Sequence, residues 1–148
     1  NARLRGFRRA IEGNGLPYLE GLVIESGFHE RGGYEAMNRL LDLSPSRRPQ
    51  AVVAINDPAA FGAMKAIAER GLRIPQDVAI VGFSDDIRSE LMPTPLTTVR
   101  QPKRHMGRLA METLLKLMAG SQSAEHIRVP GELIVRASTA PPPSERCR

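Results

Sequence analysis

Apolar residues along this chain keep two rhythms in turn. Leu4, Phe7, Ala10 and Ile11 recur at helical spacing, and residues 13–17, with two glycines and a proline, stop that helix. Residues 21–25 carry Leu22, Val23 and Ile24 and predict a short strand, which runs into the loop Ser26-Gly27-Phe28. Met37, Leu40 and Leu41 mark a second helix over 34–43, broken by residues 44–49. Residues 51–55 are continuously apolar, as in a parallel strand covered on both faces. A third helix opens at Asp57-Pro58, carries Phe61, Met64, Ile67 and Ala68, and closes at Gly71. Residues 77–81 are another buried strand, ending in the loop Gly82-Phe83-Ser84-Asp85-Asp86.

Helix and strand alternate at nearly even spacing, which is the signature of a parallel sheet built from crossover units. The rhythm then breaks. Two prolines, Pro93 and Pro95, precede the β-branched run Thr97-Thr98-Val99, and Gln101-Pro102 marks a helix entrance. This stretch reads as a strap between two lobes. Residues 103–119 follow as an amphipathic helix with Met106, Leu109, Ala110, Leu114 and Leu117 on one stripe. Gly107 inside it weakens the helix and suggests close backbone packing. Residues 127–129 and 133–135 return as strand, and 141–148, with three consecutive prolines, read as a disordered tail.

Composition narrows the picture. The 148 residues are 41% hydrophobic and 4% aromatic with no Trp, so the core is aliphatic. No run is long enough to span a membrane, and no signal-peptide pattern opens the chain. The chain starts with Asn1 already inside a helical pattern, so it reads as a piece of a longer protein. The single cysteine, Cys147, excludes an internal disulfide. A net charge of +5 raises nucleic acid as a partner, but the basic residues are scattered in pairs such as Arg8-Arg9 and Arg47-Arg48, without interleaved aromatics. This segment is not expected to touch DNA itself.

In an open parallel sheet, ligands bind beyond the carboxyl ends of the strands. Those ends present Phe28, Asn56, Asp57, Ser84, Asp85 and Asp86, and Arg3 lies on the first turn of the opening helix. An aromatic face, an amide, carboxylates and a guanidinium suit a polar small molecule. Each residue also has a plainer role. Asp57 before Pro58 is a good helix cap, Asn56 serves a loop, Phe28 packs in a core, Arg3 is solvated, and Asp85 or Asp86 caps the next turn. Arg100 and Arg136 read as lobe-to-lobe contacts. Catalysis finds no support: His29, His105 and His126 lack metal-ligand spacing, and no nucleophile elbow or dinucleotide glycine loop occurs, so neither enzyme chemistry nor a cofactor is expected.

Several motifs, in order and at consistent spacing, resemble the lactose-repressor (LacI) family of bacterial transcription regulators. They include Arg3-x-x-Gly6-Phe7, Gly27-Phe28, Arg48-Pro49-x-Ala51-Val52, Asn56-Asp57-x-x-Ala60-x-Gly62-Ala63 and Val81-Gly82-Phe83. Pro95-Leu96-Thr97-Thr98-Val99-x-Gln101-Pro102 and Leu133-Ile134-Val135-Arg136-x-Ser138-Thr139 complete the set. The resemblance covers residues 3–139. It implies an α/β, two-lobed periplasmic-binding-protein-like (type I) fold, with parallel sheets flanked by helices and a small molecule between the lobes. Residues 1–98 and 127–140 would belong to the C-terminal lobe, and 99–126 to the crossover and a helix of the N-terminal lobe. The strand before Asn1, most of the N-terminal lobe and the DNA-reading helix-turn-helix would lie outside this sequence.

The resemblance further implies a cytoplasmic homodimer whose effector, a sugar or sugar-like molecule, closes the lobes and re-orients the DNA-reading heads on operator DNA. Effector contacts fall on Arg3, Phe28, Asn56, Asp57 and the position after Gly82-Phe83. That last position departs from the family pattern: Ser84 stands where the family usually has Asp, so either Asp85 takes over as acceptor or the effector is not an ordinary sugar. Residues 61–67 and 87–92 resemble the family's dimer surfaces. The alternative is a secreted sugar-binding protein of a transporter, against which residues 96–99 and 133–139 argue.

Overall fold

The computed structural model describes residues 2–120 and 126–140. In chain order the elements are α1 (Ala2–Gly13), α2 (Glu30–Leu41), β1 (Ala51–Val53), α3 (Asp57–Glu69), β2 (Ala79–Val81), α4 (Arg88–Leu91), β3 (Thr98–Arg100), α5 (Lys103–Met118) and β4 (Glu132–Ile134), with short 3₁₀ turns at Glu20–Leu22 and Pro45–Arg47. β1 and β2 pair in parallel, Ala51 opposite Ala79 and Val53 opposite Val81, joined by α3 as a crossover. The strap continues this sheet. Gly82 N donates to Thr97 O and Ser84 N to Val99 O, both at 2.9 Å, and β4 then pairs antiparallel with β3. Ser138 stitches the far side: its backbone N bonds Pro95 O, while its buried hydroxyl donates to Ile80 O at 2.6 Å and accepts from Thr97 N at 2.8 Å.

The core lies between α2, α3 and the β1–β2 face. Met37, Leu40 and Leu41 of α2 meet Ala60, Phe61, Met64 and Ile67 of α3 over Val78, Ile80 and Leu96. Glycines bring the two helices together. A Cβ on Gly33 would lie 1.9 Å from Ala59 O, and one on Gly62 1.8 Å from Glu30 O, so only glycine allows the backbones to touch. Phe61, Met64 and Ile67 are therefore interior residues of this lobe, whereas Ile87 and Leu91 at α4 are 79% and 75% exposed.

Several expectations shift. Residues 21–26 alternate exposed and half-buried as a strand does, with Leu22 and Ile24 against the core, yet among the described residues this segment makes no ladder with β1. A period-two pattern places side chains, but a strand also needs a backbone neighbour at ladder distance. β1 was expected to be covered on both faces; Val53 is 57% exposed, because α2 and α3 cover one side only. Residues 127–129 form no strand; the return is confined to β4. α5 begins at Lys103 with Pro102 as its N-cap, one residue later than Pro at the first helical position would place it. Neither α1 nor α5 buries a residue, and a Cβ on Gly107 would meet nothing within 4 Å among the described residues, so the close packing expected there is not seen. The tail at 141–148 and Cys147 lie outside the described residues.

Candidate functional site

Three connections leave the carboxyl ends of the sheet and are tied to one another. Asn56 holds the first tie. Its Oδ1 accepts from Ala59 N at 2.9 Å, capping α3, while its Nδ2 donates to Phe28 O at 2.8 Å. The cap of α3 is thus Asn56 and not Asp57, and the same side chain also ties the Phe28 loop. Arg3 holds the second tie. It reaches from α1 to donate to Ile55 O, and its guanidinium lies 4.0 Å from the centroid of the Phe83 ring. Asp57 N donates to Phe83 O at 3.1 Å and closes the third. Arg3, Phe28, Asn56 and the Phe83-Ser84 turn therefore meet at one end of the sheet.

Phe28 is 64% exposed, so it faces outward and is no core residue. Asp57 has the opposite fate. It is fully buried, accepting from Thr98 Oγ1 at 2.6 Å, Ser89 Oγ at 2.9 Å and Asp86 N at 2.7 Å. Gly82 makes room for it, since a Cβ there would lie 2.2 Å from Asp57 Oδ1. Such a carboxyl anchors the loop beneath the site and does not reach a ligand. This overturns its reading as a direct contact: two donors from distant segments, Ser89 and Thr98, sequester it, and no local motif announces them.

Asp85 is likewise engaged. Arg100 Nε donates to Oδ2 at 2.6 Å and Arg136 Nη2 to Oδ1 at 2.9 Å, with Asp85 12% and Arg136 13% exposed. Burial by itself would push this carboxyl up; the hydrogen bonds from Arg100 and Arg136 outweigh it and hold it below its ordinary value. Asp85 therefore joins the site loop to β3 and to the segment that follows β4, with both its carboxylate oxygens engaged. The loop itself is strained, with φ of 127° at Ser84 and 50° at Asp85, neither a glycine. Asp86 is held below its ordinary value by Arg88, whose guanidinium Nε donates to it at 3.2 Å and whose backbone N donates to it at 2.9 Å. Phe83, the platform under Arg3, reads in the sequence only as part of a loop; an aromatic after a strand-ending glycine is the one local signal that marks it, and its arginine partner comes from the distant opening helix.

An apolar groove between α5 and residues 126–129, lined by Leu109, Ala110, Leu114, Leu117, Ile127 and Val129, lies on other elements and carries none of these groups. Among the described residues no cluster of His, Cys, Asp and Glu has metal-binding geometry, and no helix is long and apolar enough to cross a membrane.

Polar and aromatic groups gathered at the carboxyl ends of a parallel α/β sheet, where open sheets of this kind take their ligands, fit a lobe of the periplasmic-binding-protein type. The periplasmic binding protein-like domain matches residues 1–139, and the chain belongs to that family, in its lactose-repressor (LacI) branch. The HTH-type transcriptional regulator DegA of Bacillus subtilis is 39% identical over 140 residues, which cover 94% of this chain and 41% of DegA. A LacI-family regulatory protein from Chloroflexus aggregans superposes with a TM-score of 0.83 at 39% identity, over 93% of this chain and 50% of that one. A LacI-family regulator from Enterococcus faecium, solved with bound ribose, gives 0.80 at 31% identity over 95% of this chain and 51% of that one. The chain thus spans about half the length, or less, of the relatives it matches.

Proposed function

We propose that this chain is the effector-binding portion of a bacterial, cytoplasmic, DNA-binding transcriptional regulator that is not an enzyme. The observation that carries the reading is the convergence of Arg3, Phe28, Asn56 and Phe83-Ser84 at one sheet end, where the family places its small molecule. The effector, a sugar or sugar derivative, sits between this lobe and a second lobe to which α5 belongs. Closure acts through the strap, because β3 leads into α5, β4 returns from it, and β3 and the segment after β4 are tied to the site loop through Asp85. The exposed Ile87 and Leu91 contribute to a homodimer. DNA is read by a domain elsewhere in the full-length protein. The regulators among the relatives support this reading over a transporter's binding protein.

Substitution of Arg3 and Asn56 in the full-length protein tests it. Arg3→Ala is expected to lower effector affinity at least about tenfold, the scale of one charge-assisted hydrogen bond, and to lower the melting temperature slightly, because its tie to Ile55 O and Phe83 is lost as well, while the protein stays folded. Asn56 must be replaced by Ser, since Asn56→Ala would also remove the cap and cost about 1 kcal/mol of stability. Asn56→Ser keeps the fold and loses the effector response. Wild-type affinity by calorimetry in both variants would refute the assignment.

A further inference from the structure

We infer that the Ser84-Asp85 turn is a strained two-state latch, set by Asp85 as a positioning residue, between the sheet end and the strap. Its part in lobe closure rests on the effector-binding reading above and deepens it. Every other positive φ among the described residues belongs to a glycine: Gly15, Gly27, Gly71 or Gly120. Ser84 at 127° and Asp85 at 50° adopt such angles with side chains attached, which is sterically costly and persists only where neighbours impose it.

The strap imposes it here. Ser84 N donates to Val99 O at 2.9 Å and Asp85 N to Thr98 Oγ1 at 3.3 Å, both on the outgoing strand β3. Lys103 Nζ, at the start of α5, reaches Asp85 O at 3.4 Å. The Asp85 carboxylate closes the clamp on Arg100 Nε at 2.6 Å and on Arg136 Nη2 at 2.9 Å. Arg136 is itself fixed, since its Nη1 donates to Leu96 O at 2.9 Å. Two strained residues thus hold the outgoing strand, the start of α5 and the segment that follows β4. On the other side, Phe83 carries the Arg3 guanidinium and accepts from Asp57 N, so the latch moves with the sheet end.

A second arrangement lies within reach. Arg100 Nη1 is 3.7 Å from Glu132 Oε2, and Arg136 Nη2 is 4.0 Å from Glu90 Oε2; both acids are exposed. When the turn relaxes to negative φ and Asp85 withdraws, each arginine passes to its own acid, so opening leaves neither guanidinium unpaired. Strain favours the open arrangement and the double guanidinium pairing favours the closed one. That opposition makes the turn a switch and not a rigid corner.

Hydrogen exchange of the full-length protein without ligand tests this, so a failure strikes the latch and leaves the effector reading to its own calorimetry. Asp85→Asn is expected to speed exchange at least fivefold in residues 83–86 and 98–103 together. Adding Ser84→Gly, which removes the strain, is expected to bring both segments back towards wild type, whereas a turn held only by packing would loosen further. Glu90→Gln combined with Glu132→Gln, at exposed positions that do not endanger folding, is expected to slow exchange in both segments about threefold, because the open arrangement loses its acids. Faster or unchanged exchange in that double variant, no rescue by Ser84→Gly, or acceleration confined to 83–86 would each overturn the inference.

Discussion

α3 and α5 are helices of similar length, and their apolar residues recur with the same period, yet one is interior and the other bare. α3 buries nine of its residues against α2 and the sheet, while α5 buries none and leaves Leu114 and Leu115 half exposed. The difference lies in the small residues. Gly33 and Gly62 let α2 and α3 meet backbone to backbone, whereas Gly107 of α5 faces open space. Periodicity defines a face, and close approach requires a partner that the periodicity does not name.

Replacing those glycines breaks the comparison most sharply. Gly62→Ala forces a Cβ onto Glu30 O and within 2.8 Å of Tyr34 N, both backbone atoms. The helices must separate, at a cost of roughly 3 kcal/mol in urea unfolding. Gly107→Ala in α5 is expected to stabilise by about 1 kcal/mol through helix propensity alone. A destabilised Gly107→Ala in the full-length protein would reveal a close neighbour for α5 there, and would sharpen the contrast between the lobes.

A smaller effect separates the acid pairs of the two regions. Asp77, at the entrance to β2, accepts from Arg73 Nε at 2.9 Å and from its backbone N at 2.8 Å, and these bonds lower its carboxyl to about 2. A carboxyl whose folded value is depressed stabilises the fold above its unfolded value and loses that contribution as pH falls through the folded one. Asp77 thus supports the fold fully above the ordinary carboxylate range and progressively less down to about pH 2. Asp77→Asn is expected to flatten the acid limb of a pH-unfolding profile. Glu112→Gln, which breaks the exposed Arg108–Glu112 pair of α5, should leave that profile unaltered.

Local pattern was enough to read β1, β2, α2 and α3 from the chain, because apolar runs and glycine or proline punctuation coincide there with what the fold buries. It was not enough at residues 21–25, where side chains alternate correctly but no backbone partner lies alongside among the described residues. At the sheet end the local roles of the named residues were not legible. Asn56 and Asp57 are both good caps, and the choice between them is made by Thr98 and Ser89, distant residues that draw Asp57 inward and leave the cap to Asn56. Nor does the sequence around Asp85 announce Arg100 and Arg136, the distant residues that pair with it. Long-range polar pairing of this kind leaves no periodic trace.

Hydrogen exchange on the full-length protein, with and without saturating effector, tests the central claim most directly. Protection gained on binding is predicted to concentrate in residues 26–28, 55–57 and 83–86, where Arg3, Phe28, Asn56 and Ser84 converge. Protection confined to other segments of this lobe, such as residues 18–22 and 46–48, with those three loops unchanged, would contradict it.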